Sequence, residues 1–264
     1  MKIAVVSAHR GDAALGVGLS VGAWLAAGHA VEVIACCTRT EFAPYSDIGS
    51  VHANDRMSFA SAVLKRADED WLKRYPASPG RGKLTLTDLN LKDAPLRLHV
   101  SADEVFGLEV NAAEKAVVKI QKAVERSGAQ ALVVPLAIDR HIDRLTARMA
   151  AAQGWGAEAP VAFYEDLPQA AQVGGEALVA EGVQSVLATM QLPLVASFAS
   201  AALEGDAVTA AVERKRRLAW CYDAQMDEAT TTQVAEFCGR YAGRERLWLS
   251  AAWAGSELGT GSQT

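Results

Sequence analysis

Residues 2–37 read KIAVVSAHRGDAALGVGLSVGAWLAAGHAVEVIACC, and this stretch decides the fold. Lys2 to Ser7 is a short β-forming run with an unbroken apolar centre, Ile3 to Val6. A strand covered on both faces reads this way. Ala14 to Ala27 follows as a helix of small residues, with Gly16, Gly18 and Gly22 permitting close packing on a sheet. Gly28-His29 stops it. Ala30 to Cys37 is a second apolar run. Strand, helix and strand at this spacing predict parallel strands joined by a right-handed crossover.

The rest of the chain extends the pattern. Thr38 to Ser50 is a loop, and Val51 to Arg74 a helix with Phe59, Val63 and Trp71 on its apolar face. Tyr75 to Lys83 is turn-rich, and Leu84 to Leu89 alternates as a short strand. Glu109 to Arg126 is an amphipathic helix stopped by Gly128; Ala131 to Pro135 is a buried strand, and Ile142 to Gln153 a helix. Pro160 to Tyr164 and Pro193 to Phe198 are the last strands, and Ala207 to Met226 and Thr230 to Tyr241 are helical. Alternating types make the class α/β, a Rossmann-like, mostly parallel sheet flanked by helices. One domain is expected over residues 1–253, with a Gly/Ser/Thr-rich disordered tail over 254–264.

Half of the 264 residues are hydrophobic and the net charge is −5 with both signs interspersed. That composition supports a large core and carries no footprint for nucleic acid. No apolar stretch reaches the ~18 residues of a membrane span, and no signal peptide is apparent, so a cytoplasmic location is expected. Cys36, Cys37, Cys221 and Cys238 lack zinc-ribbon spacing and read as reduced thiols.

In open α/β sheets ligands bind beyond the carboxyl ends of the strands. Two chemistry-bearing segments fall there. Ala8-His9-Arg10-Gly11-Asp12-Ala13 follows the first strand, and His141-Ile142-Asp143-Arg144 follows the strand at 131–135. The first resembles the Ala-His-Pro-Asp-Asp-Glu motif of the PIG-L/LmbE-like N-deacetylases, and the second their His-Pro-Asp-His motif. Weaker matches follow in the same order: Asp93 to Arg97, Phe163 to Pro168, Lys215 with Tyr222 and Gln225, and Arg244 to Trp248. The resemblance implies the LmbE-like fold and a pocket derived from an amide (N-acetyl) hydrolase.

It also implies residue roles. His9 and Asp12 fall on two zinc-ligand positions. Gly11 stands where the general base belongs, and Arg144 where the third ligand belongs. A guanidinium cannot be deprotonated and cannot coordinate a metal. No cofactor is therefore expected, with Zn2+ at His9 and Asp12 as the alternative. His141 falls on the histidine that assists developing charge, so His141 and Asp12 are the candidates for acid/base work. Asp12 also reads as a cap for the first helix, and Asp143 as a helix-start carboxylate.

Arg10 replaces the motif's proline and, with Arg144, is expected to hold an anionic group. Arg144 is expected to fill the metal's space and pair with Asp12. His52 and Asp93 are further candidates for substrate contact. The expected partner is a small anionic or amino-sugar-like molecule, with the oligomeric state open. Three readings remain open: a binding pocket without catalysis, a metal-independent enzyme, and a deacetylase with an unconventional ligand such as His141 or Asp143.

Overall fold

The computed structural model describes residues 1–153, 155 and 159–260. Its first strand, β1 (Lys2–Ser7), is buried from Ile3 onward. Helix α1 (Asp12–Ala26) returns the chain to β2 (Ala30–Ala35), which pairs with β1 in parallel, Ile3 against Val31 and Val5 against Val33. The expected parallel pair joined by a helix is therefore present. A Cβ at Gly16 would lie 2.5 Å from the ring of Tyr164. The Tyr164 hydroxyl in turn donates to the Val6 carbonyl at 3.1 Å, so the missing side chain lets helix, strand and ring meet.

Helix α2 (Arg56–Leu72) starts later than expected, after a turn over 53–55. It leads to β3 (Leu84–Asp88), parallel to β2. Next come a short helix not foreseen from the sequence, α3 (Ala94–Leu98), and then α4 (Lys115–Ser127). The latter was expected from Glu109. The Asn111 side chain instead accepts from the Ala113 N–H at 3.0 Å and holds a turn. Strand β4 (Ala131–Pro135) pairs with β1, and α5 (Ile142–Ala152) and β5 (Val161–Tyr164) follow. Helix α6 (Gly175–Met190) was also unforeseen; its many small residues blur the apolar stripe.

Strand β6 (Val195–Phe198), α7 (Asp206–Ala219) and α8 (Glu228–Phe237) precede β7 (Arg246–Leu249). The sheet order is β3-β2-β1-β4-β5-β7-β6. Only β7 runs against the rest, antiparallel to both β5 and β6. A short helix closes the domain at Ala251–Ala254, and the tail expected to be disordered from residue 254 is instead helical at Glu257–Thr260, with Leu258 buried in the main core. Residues 261–264 of that tail lie outside the described residues. Among the described residues no helix is long and apolar enough to cross a membrane.

The sheet order explains where a ligand can sit. The chain turns from β1 to β2 on one side, and β4 then returns to the other side of β1. The loops after β1 and β4 therefore part in opposite directions and leave a crevice at their carboxyl ends. Segments 8–12 and 136–144 both open into it.

Candidate functional site

A cavity of about 410 Å³ fills this crevice, and His9, Arg10, Asp12, Asp93, His141 and Arg144 are among its lining residues. The turn after β1 is held by Ser7, whose hydroxyl donates to the His9 carbonyl at 2.7 Å and accepts from the Ala13 N–H at 3.0 Å. Gly11 completes it at φ +95, in the left-handed region. Asp12 is the first helical residue and not the cap; its Oδ2 accepts from the His9 N–H at 2.8 Å.

The His9 ring lies between two carboxylates, Nδ1 3.4 Å from Asp12 and Nε2 3.0 Å from Asp143. Burial opposes protonation, but the hydrogen bonds to Asp12 and Asp143 and their charges outweigh it and push the pKa up to about 10. A fifth of the side chain is exposed, so solvent screens part of this effect. The two carboxylates favour the protonated ring.

His141 is in the opposite state. It caps α5, and its Nδ1 accepts from the Asp143 N–H at 3.1 Å. A backbone N–H can only donate, so the neutral ring carries its proton on Nε2. Burial first, and then the neighbouring His9 charge, lower its pKa to about 4. The two rings meet edge to face at 4.8 Å between centroids. The surroundings thus favour a protonated ring at His9 and a neutral one at His141.

Arg144 is buried among three carboxylates. Its Nη2 donates to Asp12 Oδ1 at 2.9 Å, Nη1 donates to Asp139, and Nε lies 3.4 Å from Asp166. The pair with Asp12 agrees with the expectation from the motif. Burial would raise the Asp12 pKa, but the Arg144 charge beside it holds the carboxyl well below the usual carboxylate range. Asp166 responds differently. Its burial dominates over the Arg144 charge, and its pKa rises to about 7.

Two expectations need correction. Arg10 does line the cavity, but its guanidinium donates to Asp68 and Asp88 and its side chain is only 4 % exposed. Asp68 is further held by the Tyr222 hydroxyl at 2.8 Å. Arg10 therefore ties the site to α2 and β3, with both terminal nitrogens taken by carboxylates. His52 is exposed and caps the 53–55 turn, its Nδ1 accepting from the Asn54 N–H at 3.3 Å; it does not line the cavity. Asp93 does, and its buried Oδ1 lacks a partner. Burial raises its pKa.

The sequence assigns no role to Arg97, Asp139 or Asp166, and reads Asp143 as a helix-start carboxylate or, in the deacetylase alternative, an unconventional zinc ligand. Arg97 donates to Asp143 Oδ1 at 2.7 Å and also to Glu114. The Ala94 N–H donates to Asp143 Oδ2 at 2.8 Å. Arg97 and Asp166 stand inside matched segments, 93–97 and 163–168, which was the available signal.

A metal at the positions the resemblance implies does not fit, because the Arg144 guanidinium stands among the carboxylates there. His9, His141 and Asp143 form a neighbouring group whose ligand atoms lie within 4.8 Å of one another. Two imidazoles and a carboxylate suit zinc chemically. Here, however, His9 Nε2 and Asp143 hold each other, Arg97 takes the other Asp143 oxygen, and His141 Nδ1 is engaged by the helix. A ligand histidine must be neutral, so an ion here would have to displace the proton that Asp12 and Asp143 favour on His9.

Solved structures with the same fold can now be placed beside this geometry. The chain is similar to a triple mutant of a deacetylase of the teicoplanin biosynthetic pathway, at 18 % identity and TM-score 0.61, over 94 % of this chain and 97 % of that one. A further structure of teicoplanin deacetylase is of its zinc-inhibited form. It is also similar to N,N'-diacetylchitobiose deacetylase from Pyrococcus horikoshii, at 12 % identity and TM-score 0.54, over 97 % and 86 % of the two chains. A third likeness is to 4-carboxy-2-hydroxymuconate hydratase from Pseudomonas putida, at 12 % identity and TM-score 0.51, over 94 % of this chain and 95 % of that one. No family model and no curated protein matches the chain. The chain has the PIG-L/LmbE-like, deacetylase-type fold. Deacetylases and a hydratase share that fold, so the reaction must be argued from the site.

Proposed function

We propose that the cavity binds the uncharged head group of an amino-sugar-like, amide-bearing small molecule, with the Arg144 guanidinium standing in for the metal ion of a deacetylase. The observation that carries this reading is the placement of Arg144 among Asp12, Asp139 and Asp166. A fixed organic cation there holds the carboxylates as a divalent ion would, but it offers no position for water or for a substrate carbonyl.

The polar lining fits a neutral ligand better than an anionic one. Both arginines that line the cavity are already paired with carboxylates, so an added anion would meet those carboxylates as well. Other polar groups of the lining include the His141 Nε2 donor, the unpartnered Asp93 and Gln169 side-chain oxygens, and the amides of Gln172 and Gln225. Donors and acceptors of this kind suit hydroxyls and an acetamide.

They do not assemble a hydrolase. Gly11 supplies no base, Asp12 is committed to Arg144 and is a weak base at its lowered pKa, and the accepting nitrogen of His141 is occupied. A second reading, an amide hydrolase holding zinc at His9, His141 and Asp143, is favoured by the clustering of those three groups.

One purification separates the two readings. Elemental analysis of chain prepared without chelator is expected to find far less than one zinc per chain. Calorimetry with N-acetylglucosamine is expected to detect binding that weakens on Asp93→Ala. Near-stoichiometric zinc, lost on His9→Ala and on Asp143→Ala, refutes the metal-free reading and favours the second.

A further inference from the structure

The mouth of the cavity is aromatic. Phe42 is 58 % exposed, Tyr45 56 % and Phe106 50 %, and all three line the cavity. Single exposed apolar side chains are ordinary. Three large rings on two different loops, gathered at one opening, are a surface. The other exposed large hydrophobic residues among those described are mostly aliphatic and do not line the cavity.

The backbone beneath the rings is held. The Phe42 N–H donates to the Thr40 hydroxyl at 2.9 Å, and the Tyr45 N–H donates to the Ala224 carbonyl at 3.1 Å. The Tyr45 hydroxyl reaches Asp227 at 3.4 Å. Phe106 bridges in backbone to His141 and packs edge to face on its ring at 5.4 Å. Rings on a fixed backbone keep their place before a ligand arrives and lose little freedom when it binds. Phe106 also links the rim to the polar floor, because it touches the histidine that presents Nε2–H.

We infer that the ligand is a conjugate: its polar head group enters the floor, and a flat aryl substituent stacks on Phe42, Tyr45 and Phe106. This rests on the reading of the floor as a head-group site. A free monosaccharide would leave the rim in water. An aryl group attached at the head group removes ring faces from water on both partners.

The intact chain can be titrated calorimetrically with two probes that share a head group, methyl and 4-nitrophenyl N-acetyl-β-D-glucosaminide. The aryl glycoside is expected to bind roughly tenfold more tightly. In the Phe42→Ala, Phe106→Ala double variant the ratio of the two affinities should fall towards one. Phe42→Tyr, which keeps a stacking face, should keep the preference, and thermal melts of each variant check folding. Equal binding of both glycosides by the parent chain overturns the rim inference and leaves the head-group reading standing. Binding of neither overturns both. A preference unchanged in the folded double variant also overturns the inference, because the aryl group then sits elsewhere.

Discussion

The substitution Arg144→His tests the idea that a guanidinium replaces an ion. Arg144 is 9 % exposed at its side chain and faces Asp12, Asp139 and Asp166. Removing the cation leaves buried carboxylates facing one another. Breaking a buried pair by deleting one partner costs about 3–5 kcal/mol. For a chain of this size that corresponds to a melting temperature lower by roughly 6–20 °C.

The deficit should depend on pH with a defined sign. The Arg144 charge holds Asp12 below its unfolded pKa. Its stabilising contribution is therefore present above the unfolded pKa and lost as pH falls through the folded one. Without Arg144 the Asp12 pKa rises, so parent and variant should converge as the pH falls into the carboxylate range. Zinc should then act differently on the two proteins. The variant supplies His9, Asp12 and the introduced imidazole as ligands, and saturation at about 100 times Kd would restore about 2.7 kcal/mol. The assay is urea denaturation at pH 7 and at pH 4.5, with EDTA or with zinc. A variant as stable as the parent in EDTA, or equal stabilisation of both by zinc, would refute charge replacement.

Three further outcomes follow from the same geometry. Gly11→Asp, which places a carboxylate where the resemblance implies a general base, should destabilise the chain by roughly 1–3 kcal/mol, since residue 11 sits at φ +95 and its Cβ would lie 3.1 Å from the Tyr222 ring; an unchanged denaturation midpoint would show that the turn is not constrained as described. His9→Gln should cost most stability below pH 6.5 and progressively less as pH rises towards 10, because a raised histidine pKa stabilises the fold below the unfolded value and loses that effect through the folded one; a deficit that grows with pH contradicts the imidazolium. Asp166 has its pKa raised to about 7, so its ionisation opposes folding increasingly between about pH 4 and 7; Asp166→Asn should gain on the parent across that window, and a loss with rising pH would mean that the pairing with Arg144 outweighs burial.

The sequence by itself determined the β1-α1-β2 unit, the parallel sheet and the two loops that meet at its carboxyl edge. Each is local information: an unbroken apolar run, a helix of small residues, a glycine stop. The expectation that Arg144 stands at a ligand position came from the resemblance alone, since motif register needs no tertiary knowledge. Helix α6 and the antiparallel β7 escaped because small residues blur the apolar stripe of one, and strand direction in the other depends on its neighbours β5 and β6. The fate of Arg10 was decided only by the tertiary structure, because its partners Asp68 and Asp88 lie 58 and 78 residues away in the chain. The states of the two histidines were decided there too. His9 and Asp143 are 134 residues apart, yet the distance between them sets which ring carries charge. Charge and proton placement depend on spatial neighbours and burial, and the fold brings those neighbours together only once the sheet has formed.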